Sequence, residues 1–112
     1  MKRLTLQRRA LDDLVNARAY YVQHAPHMVG DFAHSLDAEF GHLRLQPDTG
    51  SLRYGMQLGV PGLRSWKVRK FPYLIFYKVT ATRVVVVRVL HEVANIPVHL
   101  SNYLDLYFVF SL

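Results

Sequence analysis

The sequence predicts an α+β domain: a short strand, two helices, then three strands of an antiparallel sheet. Two segments in the first half of the chain carry apolar side chains at helical spacing. Three β-branched or aromatic runs in the second half are joined by short links. The chain has 112 residues, which fit one domain. We expect the two helices to form a hairpin that packs on one face of the sheet.

The first strand and helix occupy the start of the chain. Residues 2–6 are short and mixed, which suits an edge strand. Residues 10–23 have apolar side chains at helical spacing, and Pro26 ends this helix. We expect Asp12 and Asp13 in its first turn, where the helix dipole favours carboxylates.

A second helix and a loop follow. The helix is expected from Met28 or Gly30 to Leu45, because an apolar stripe repeats along it and a turn at residues 47–50 ends it. Residues 51–62 contain three glycines and a proline. They predict an irregular loop with at most a short strand.

Three strands complete the predicted sheet. They are expected at Leu63–Lys70, Tyr73–Val79 and Val84–Leu90, from alternating, aromatic and β-branched side chains respectively. The links at residues 71–72 and 80–83 are short enough for hairpins. The three strands are therefore expected to pair antiparallel.

The charge and the absence of cysteine narrow the class of protein. Fourteen Lys and Arg against eight Asp and Glu give a formal net charge of +6, which predicts an anionic partner or only a soluble basic surface. Without cysteine, the chain has no disulfide, thiolate zinc site or cysteine nucleophile. We expect a cytoplasmic protein, since no secretory signal or membrane-length apolar run is visible.

The last residues differ from the rest. We expect a domain over residues 1–100 and an apolar tail over residues 101–112, in which Asp105 is the single charged side chain. Such a tail could dock on the core, pair as another strand or form an exposed patch for a partner.

Six short motifs occur in an order typical of one protein family. They are Ala10 with Asp13-Leu14 and Tyr20-Tyr21; Phe40 and Leu43 before Pro47-Asp48-Thr49-Gly50; Gly62-Leu63-Arg64-Ser65-Trp66; Tyr73-Leu74-Ile75-Phe76-Tyr77; Val87-Arg88-Val89-Leu90-His91; and Asn95-Ile96-Pro97. Together they make the chain resemble the RelE/ParE toxins of bacterial type II toxin–antitoxin pairs over residues 2–100. Asn95, where an acid is common, and the tail depart from the family's pattern.

The resemblance implies one of two activities. RelE-like members cut mRNA on the ribosome, whereas ParE-like members poison DNA gyrase and are not nucleases. We favour the ParE-like branch and do not expect an enzyme. The alternatives are a RelE-like ribosome-dependent endoribonuclease and an inactive relative.

A metal-independent nuclease needs a base, an acid and cations for the phosphorane charge. The residues that could supply them are His91, Arg64 and Arg88, with Lys67, Arg69, Glu39 and Glu92 as further candidates. Strict alternation places Arg88 and His91 on opposite faces of the sheet. This set is too thin for a firm catalytic assignment.

Each candidate also has a structural interpretation. His91 suits a cap on the last strand, and Arg88 within a valine run suits an ion pair or a bond to a carbonyl. The aromatic residues of the strands suit the core. The histidines have no converging acid or cysteine, so we expect neither a metal nor another cofactor.

The resemblance implies a neutralising partner, and the basic charge predicts that its segment is acidic. This antitoxin could lie along the helical hairpin as a helix and add a strand to the sheet edge. We expect partner contacts at Arg64, Arg69, Arg88, Leu11 and Leu14. The apolar positions that cannot all serve both core and antitoxin are Leu11, Leu14, Val15, Phe32 and Leu36. DNA gyrase, or the ribosome and mRNA in the alternative interpretation, would be the target, and no membrane partner is expected.

Overall fold

The computed structural model describes residues 1–100, and the predicted tail at 101–112 lies outside the described residues. Three helices and four strands follow one another along the described chain. They are β1 (Arg3–Leu6), α1 (Arg8–His24), α2 (Val29–Leu45), α3 (Arg53–Leu58), β2 (Arg64–Lys67), β3 (Tyr73–Val79) and β4 (Arg83–His91). Short 3₁₀ turns precede α2 and follow it, and residues 96–100 are helical.

The first helix begins earlier than predicted, because β1 runs almost directly into it. The amide of Gln7 donates to the Val86 carbonyl of β4, and the Leu11 amide already donates to the Gln7 carbonyl. Asp12 and Asp13 therefore lie in the second turn, and the prediction that they stabilise the first turn is wrong. The first turn of α1 holds no acidic residue.

The predicted loop at residues 51–62 is also wrong, since it contains the helix α3. The Ser51 hydroxyl oxygen accepts a hydrogen bond from the Arg53 amide at 3.1 Å, at the start of this helix. Gly59 ends it in the left-handed conformation (φ 70°), and the Val60 amide donates to the Gly55 carbonyl. Here the glycine ends a helix rather than preventing one.

The four strands form one mixed sheet in the order β1-β4-β3-β2. The strands β2, β3 and β4 pair antiparallel as predicted, while β1 pairs parallel with β4. The parallel pair is possible because the long chain between them crosses over the sheet. Strand β2 is shorter than predicted, since the chain turns at Lys70, whose φ is 70°.

Both faces of the sheet are covered. The helical hairpin packs on one face through Tyr21, Phe32, Leu36 and Leu43, which bury against side chains of β3 and β4. On the other face a second cluster includes Phe76, and its buried members are Val60, Leu63, Phe76, Val87, Leu90, Ile96 and Leu100. The predicted α+β class and the packing of the hairpin on one face are confirmed.

Candidate functional site: a cleft between the first helix and the last strand

A cleft of about 640 Å³ lies between α1 and the second half of β4. It exists because the two parallel strands differ in length: β1 ends at Leu6, which is paired with Val86, whereas β4 continues to His91. The last five residues of β4 therefore have no strand on that side. Helix α1 passes along this edge instead and leaves the cleft open to solvent.

Asp13 of α1 supplies the hydrogen bond that a neighbouring strand would otherwise provide. Its carboxylate accepts the Val89 amide at 2.9 Å, the Arg88 Nε at 2.8 Å and the Arg88 Nη2 at 2.9 Å. The Arg88 Nη1 donates to the His99 carbonyl at 3.1 Å. The Asp13 and Arg88 side chains are only 12% and 10% exposed. Arg88 thus holds α1, β4 and the last described turn together, as its structural interpretation predicted.

Aromatic rings line the rest of the cleft. Tyr20 stacks on His24 with ring centroids 4.4 Å apart, and Tyr73 meets His91 edge-on at 5.3 Å. Burial raises the pKa of Tyr73 and of Tyr21 above the usual value of 10.0. The cleft is therefore mainly apolar, with polar groups at its rim.

An exposed apolar row runs along α1, on the helix face turned away from the side chains that line the cleft. Leu11, Val15 and Val22 are 44%, 59% and 47% exposed. Spacings of four and seven residues place them on one helix face. The structure thereby divides the apolar positions that sequence reasoning left undivided. Phe32 and Leu36 are buried and Leu14 packs against the core, whereas Leu11 and Val15 are open to a partner.

The three residues considered for a nuclease are not brought together. The His91 Nδ1 accepts the Val93 amide at 3.2 Å, which caps the end of β4. The Arg64 Nη1 donates to the carbonyls of Asp48 and Gly50 at 2.9 Å each. Arg88 is held by Asp13, and no hydrogen bond among the described residues links any two of the three.

The sheet register keeps Arg64 far from His91. Arg64 of β2 pairs with Tyr77 of β3, and His91 of β4 pairs with Tyr73 of β3. Four residues along a strand span roughly 13 Å, and two strand spacings add roughly 10 Å across the sheet. Their backbones are thus about 16 Å apart, too far for both to act on one phosphate.

A second, polar hollow of about 480 Å³ lies beside β2, where sequence analysis predicted none. It is lined by Arg53, Tyr54, Lys67 and Glu92, among others. The Arg53 guanidinium lies 5.1 Å from the centre of the Tyr54 ring, and the Lys67 ammonium donates to the Phe71 carbonyl at 2.9 Å. Sequence reasoning missed the hollow because α3, which carries Arg53, was predicted to be a loop.

Arg69 and Glu39 have structural contacts at the other side of β2. The Glu39 carboxylate accepts the Arg69 amide at 2.7 Å and the Trp66 indole nitrogen at 3.4 Å. This leaves the Arg69 side chain exposed. Glu39 therefore ties α2 to β2, and Arg69 remains available to an anionic partner.

Residues 1–100 show neither a metal site nor a membrane-spanning helix. No group of three or more His, Cys, Asp or Glu side chains is arranged to hold a metal ion in that part of the chain. Among the same residues, no helix is both long and apolar enough to cross a membrane.

The sequence and the fold were compared with known proteins. Residues 4–95 match the family described as "ParE toxin of type II toxin-antitoxin system, parDE". A solved structure titled "Chromosomal ParDE TA system from P. aeruginosa" matches with a TM-score of 0.65 at 19% identity, covering 81% of this chain and 96% of that chain. At this identity the likeness shows the fold. Curated proteins give no match.

Proposed function

We propose, since this chain belongs to the ParE toxin family of type II toxin–antitoxin systems, that it inhibits DNA gyrase and that a cognate antitoxin neutralises it. The observation that carries the proposal is the dispersal of the nuclease candidates across a fold of the ParE kind. Arg88 is engaged by a buried carboxylate and His91 caps a strand. Because Arg64, Arg88 and His91 do not assemble an acid–base pair, we infer that the chain acts by binding, and gyrase is the target that the family resemblance implies.

We assign two surfaces of α1 to the antitoxin, the exposed apolar row and, on the other side of the helix, the cleft. Leu11, Val15 and Val22 form an exposed stripe of the kind that accepts an amphipathic helix. The cleft, on the other side of α1, offers a separate apolar recess for another part of the antitoxin. With a net charge of +6 on the toxin, acidic residues in the antitoxin segment would speed and orient the encounter.

Two charge substitutions test this assignment. Leu11→Glu with Val15→Glu would place two carboxylates on the proposed contact row and weaken antitoxin binding by at least about a hundredfold, because each apolar contact is replaced by a desolvated charge. Met56→Glu is the control, since Met56 is also exposed but lies on α3. Titration calorimetry with the product of the neighbouring gene measures both. Equal affinity for the two variants would refute the assigned surface.

Gyrase inhibition is tested against the nuclease alternative in one paired assay. The purified chain is added to a gyrase supercoiling reaction and to a cell-free translation reaction. We expect supercoiling to stop while translation continues and mRNA stays intact. Cleaved mRNA with normal supercoiling would favour the nuclease alternative over gyrase inhibition.

The polar hollow beside β2 is the observation that keeps the nuclease as a second candidate. It places Lys67 and Arg53 near Glu92, a combination of cations and a carboxylate that could serve RNA cleavage. If mRNA is cut, Glu92→Gln should lower the cleavage rate by about two orders of magnitude or more. Unchanged cleavage by this variant would remove the hollow from consideration.

A further inference from the structure

One end of the molecule collects positive charge at the start of β1. Four cationic side chains come together there from distant parts of the chain, and we call this surface the basic end. It consists of Lys2, Arg3, Arg44 and Arg83. The parallel pairing of β1 with β4 and the return of α2 toward β1 create it, so the sequence alone does not reveal it.

Arg3 and Arg83 lie side by side across two strands. They are directly paired in the parallel register of β1 and β4, so their Cα atoms lie about 4.8 Å apart. Both side chains are exposed. Like charges that face each other across a sheet destabilise it unless an anion lies between them. This pair therefore favours a bound anionic group.

Lys2 and Arg44 extend the same surface without being neutralised. The Lys2 ammonium donates to the carbonyls of Thr80 and Ala81 at 2.8 and 2.9 Å, and the Arg44 Nε donates to the Lys2 carbonyl at 2.9 Å. These contacts fix the positions of the two cations. Because a backbone carbonyl carries no formal charge, each side chain keeps its full positive charge.

Carboxylates are scarce at the basic end. Within the described residues, ion pairs join Arg8 to Asp12, Arg64 to Asp48 and Arg88 to Asp13, and none of these cations belongs to the basic end. Asp37 lines a shallow hollow with Arg3 and Arg44 and offsets one charge at most. The basic end therefore keeps a net charge of about +3 from its side chains.

We propose that the basic end binds the phosphate backbone of duplex DNA. Phosphates closely spaced along a strand match two neighbouring guanidinium groups, each of which can bind an oxyanion in a bidentate way. The surface is dominated by cations, with Arg3 and Arg83 exposed and Lys2 and Arg44 half-buried. Protein–DNA interfaces have this character, whereas the core of a protein–protein interface is depleted of charge. These contacts read no base, so binding would be independent of DNA sequence.

The basic end is remote from the cleft. Arg83 opens the nine-residue strand β4 and His91 closes it, which separates the two ends by about 27 Å. A protein held at the cleft would leave the basic end open to DNA. The inference is therefore independent of the target and of the antitoxin surface proposed above.

The test compares two charge-matched double variants of the full chain. Arg3→Gln with Arg83→Gln removes the paired arginines, and Arg18→Gln with Lys70→Gln removes two exposed cations that lie outside the basic end. Each lowers the formal net charge by two. Fluorescence anisotropy with a labelled 20-base-pair duplex gives the dissociation constant at several salt concentrations, and circular dichroism verifies that both variants are folded.

For the unaltered chain we expect the logarithm of the association constant to fall as the logarithm of the salt concentration rises. The expected slope is about −3 to −4, which corresponds to about four phosphate contacts. The Arg3/Arg83 variant should lose about two units of slope and at least about tenfold in affinity at low salt. The Arg18/Lys70 variant should bind as the unaltered chain does. Equal losses in the two variants would overturn the proposal. So would a polyglutamate peptide that competes as well as duplex DNA of equal charge.

Discussion

At the scale of single residues, Asp13 shows how one carboxylate can finish a sheet edge. It accepts the amide of Val89 and two nitrogens of Arg88 where β1 no longer reaches β4. The sequence places Asp13 in a helix and Arg88 in a strand, but the two lie 75 residues apart. No local pattern reports such a pairing. Sequence analysis therefore predicted an ion pair or a carbonyl bond for Arg88 and could not predict its partners.

The buried pair should be costly to break. Asp13→Asn removes the charge but keeps the size, and it leaves the Arg88 guanidinium nearly buried without its counter-ion. We expect a loss of about 3 kcal/mol in the free energy of unfolding. Asp12→Asn is the control, since the Arg8–Asp12 pair is exposed and contributes under about 0.5 kcal/mol. Urea unfolding measures both, and similar values for the two variants would disprove the role of Asp13.

Tyr77 is a second residue with a buried polar function. Its hydroxyl donates to the Pro47 carbonyl at 2.8 Å and accepts the Gly50 amide at 2.9 Å, so it ties the turn after α2 to the sheet. A Cβ on Gly50 would lie only 2.8 Å from the ring atom Cε1 of this tyrosine. The close approach explains a glycine at this turn.

Tyr77 predicts how stability depends on alkaline pH. Burial raises the pKa of its hydroxyl above 10.0, so above pH 10 the unfolded chain releases this proton more readily than the folded one. Folding stability is then complete below pH 10 and falls as the pH rises further. In Tyr77→Phe the fall between pH 10 and 11.5 should be shallower than in the unaltered chain, although Tyr21 and Tyr73 still contribute to it. Parallel curves of unfolding free energy against pH would count against this account.

At the scale of elements, the spacing of apolar side chains predicted the long helices and strands correctly. Helix α2 ends at Leu45 and β3 spans Tyr73–Val79, both as predicted. The six-residue helix α3 was missed, because the glycines within and after it are typical of loops and it is too short to show an apolar period. Its position matters, since it carries Arg53 into the polar hollow.

Two glycines predict opposite effects of alanine. Gly59 ends α3 with a φ of 70°, so Gly59→Ala should lower the free energy of unfolding by about 1 kcal/mol. Gly41 lies inside α2, and nothing lies within 4 Å of where its Cβ would be. Gly41→Ala should raise the same free energy by about 0.5–1 kcal/mol. Thermal unfolding of the two variants checks the signs. A shift of both unfolding temperatures in the same direction would contradict the different backbone roles of Gly59 and Gly41.

At the scale of the whole molecule, the difference in length between β1 and β4 organises the surface. Where β4 outruns β1 the cleft opens beside α1, and where the two strands begin together the basic end forms. The order of the four strands and the two long helices was predictable from the sequence, whereas α3 was missed. The parallel partner of β1 was not, because strand pairing across so much chain leaves no local signal. The cleft and the basic end both depend on that pairing, so neither could be located before the structure.

The function that we propose for this chain is gyrase inhibition that an antitoxin bound along α1 silences. The most direct measurement is gyrase supercoiling by purified enzyme with a fixed amount of this chain, titrated with the product of the neighbouring gene. We expect the chain to abolish supercoiling, and gyrase activity to return in full at a fixed stoichiometric ratio of the two proteins. Supercoiling that continues unchanged with the folded chain in excess over gyrase would contradict gyrase inhibition by this chain.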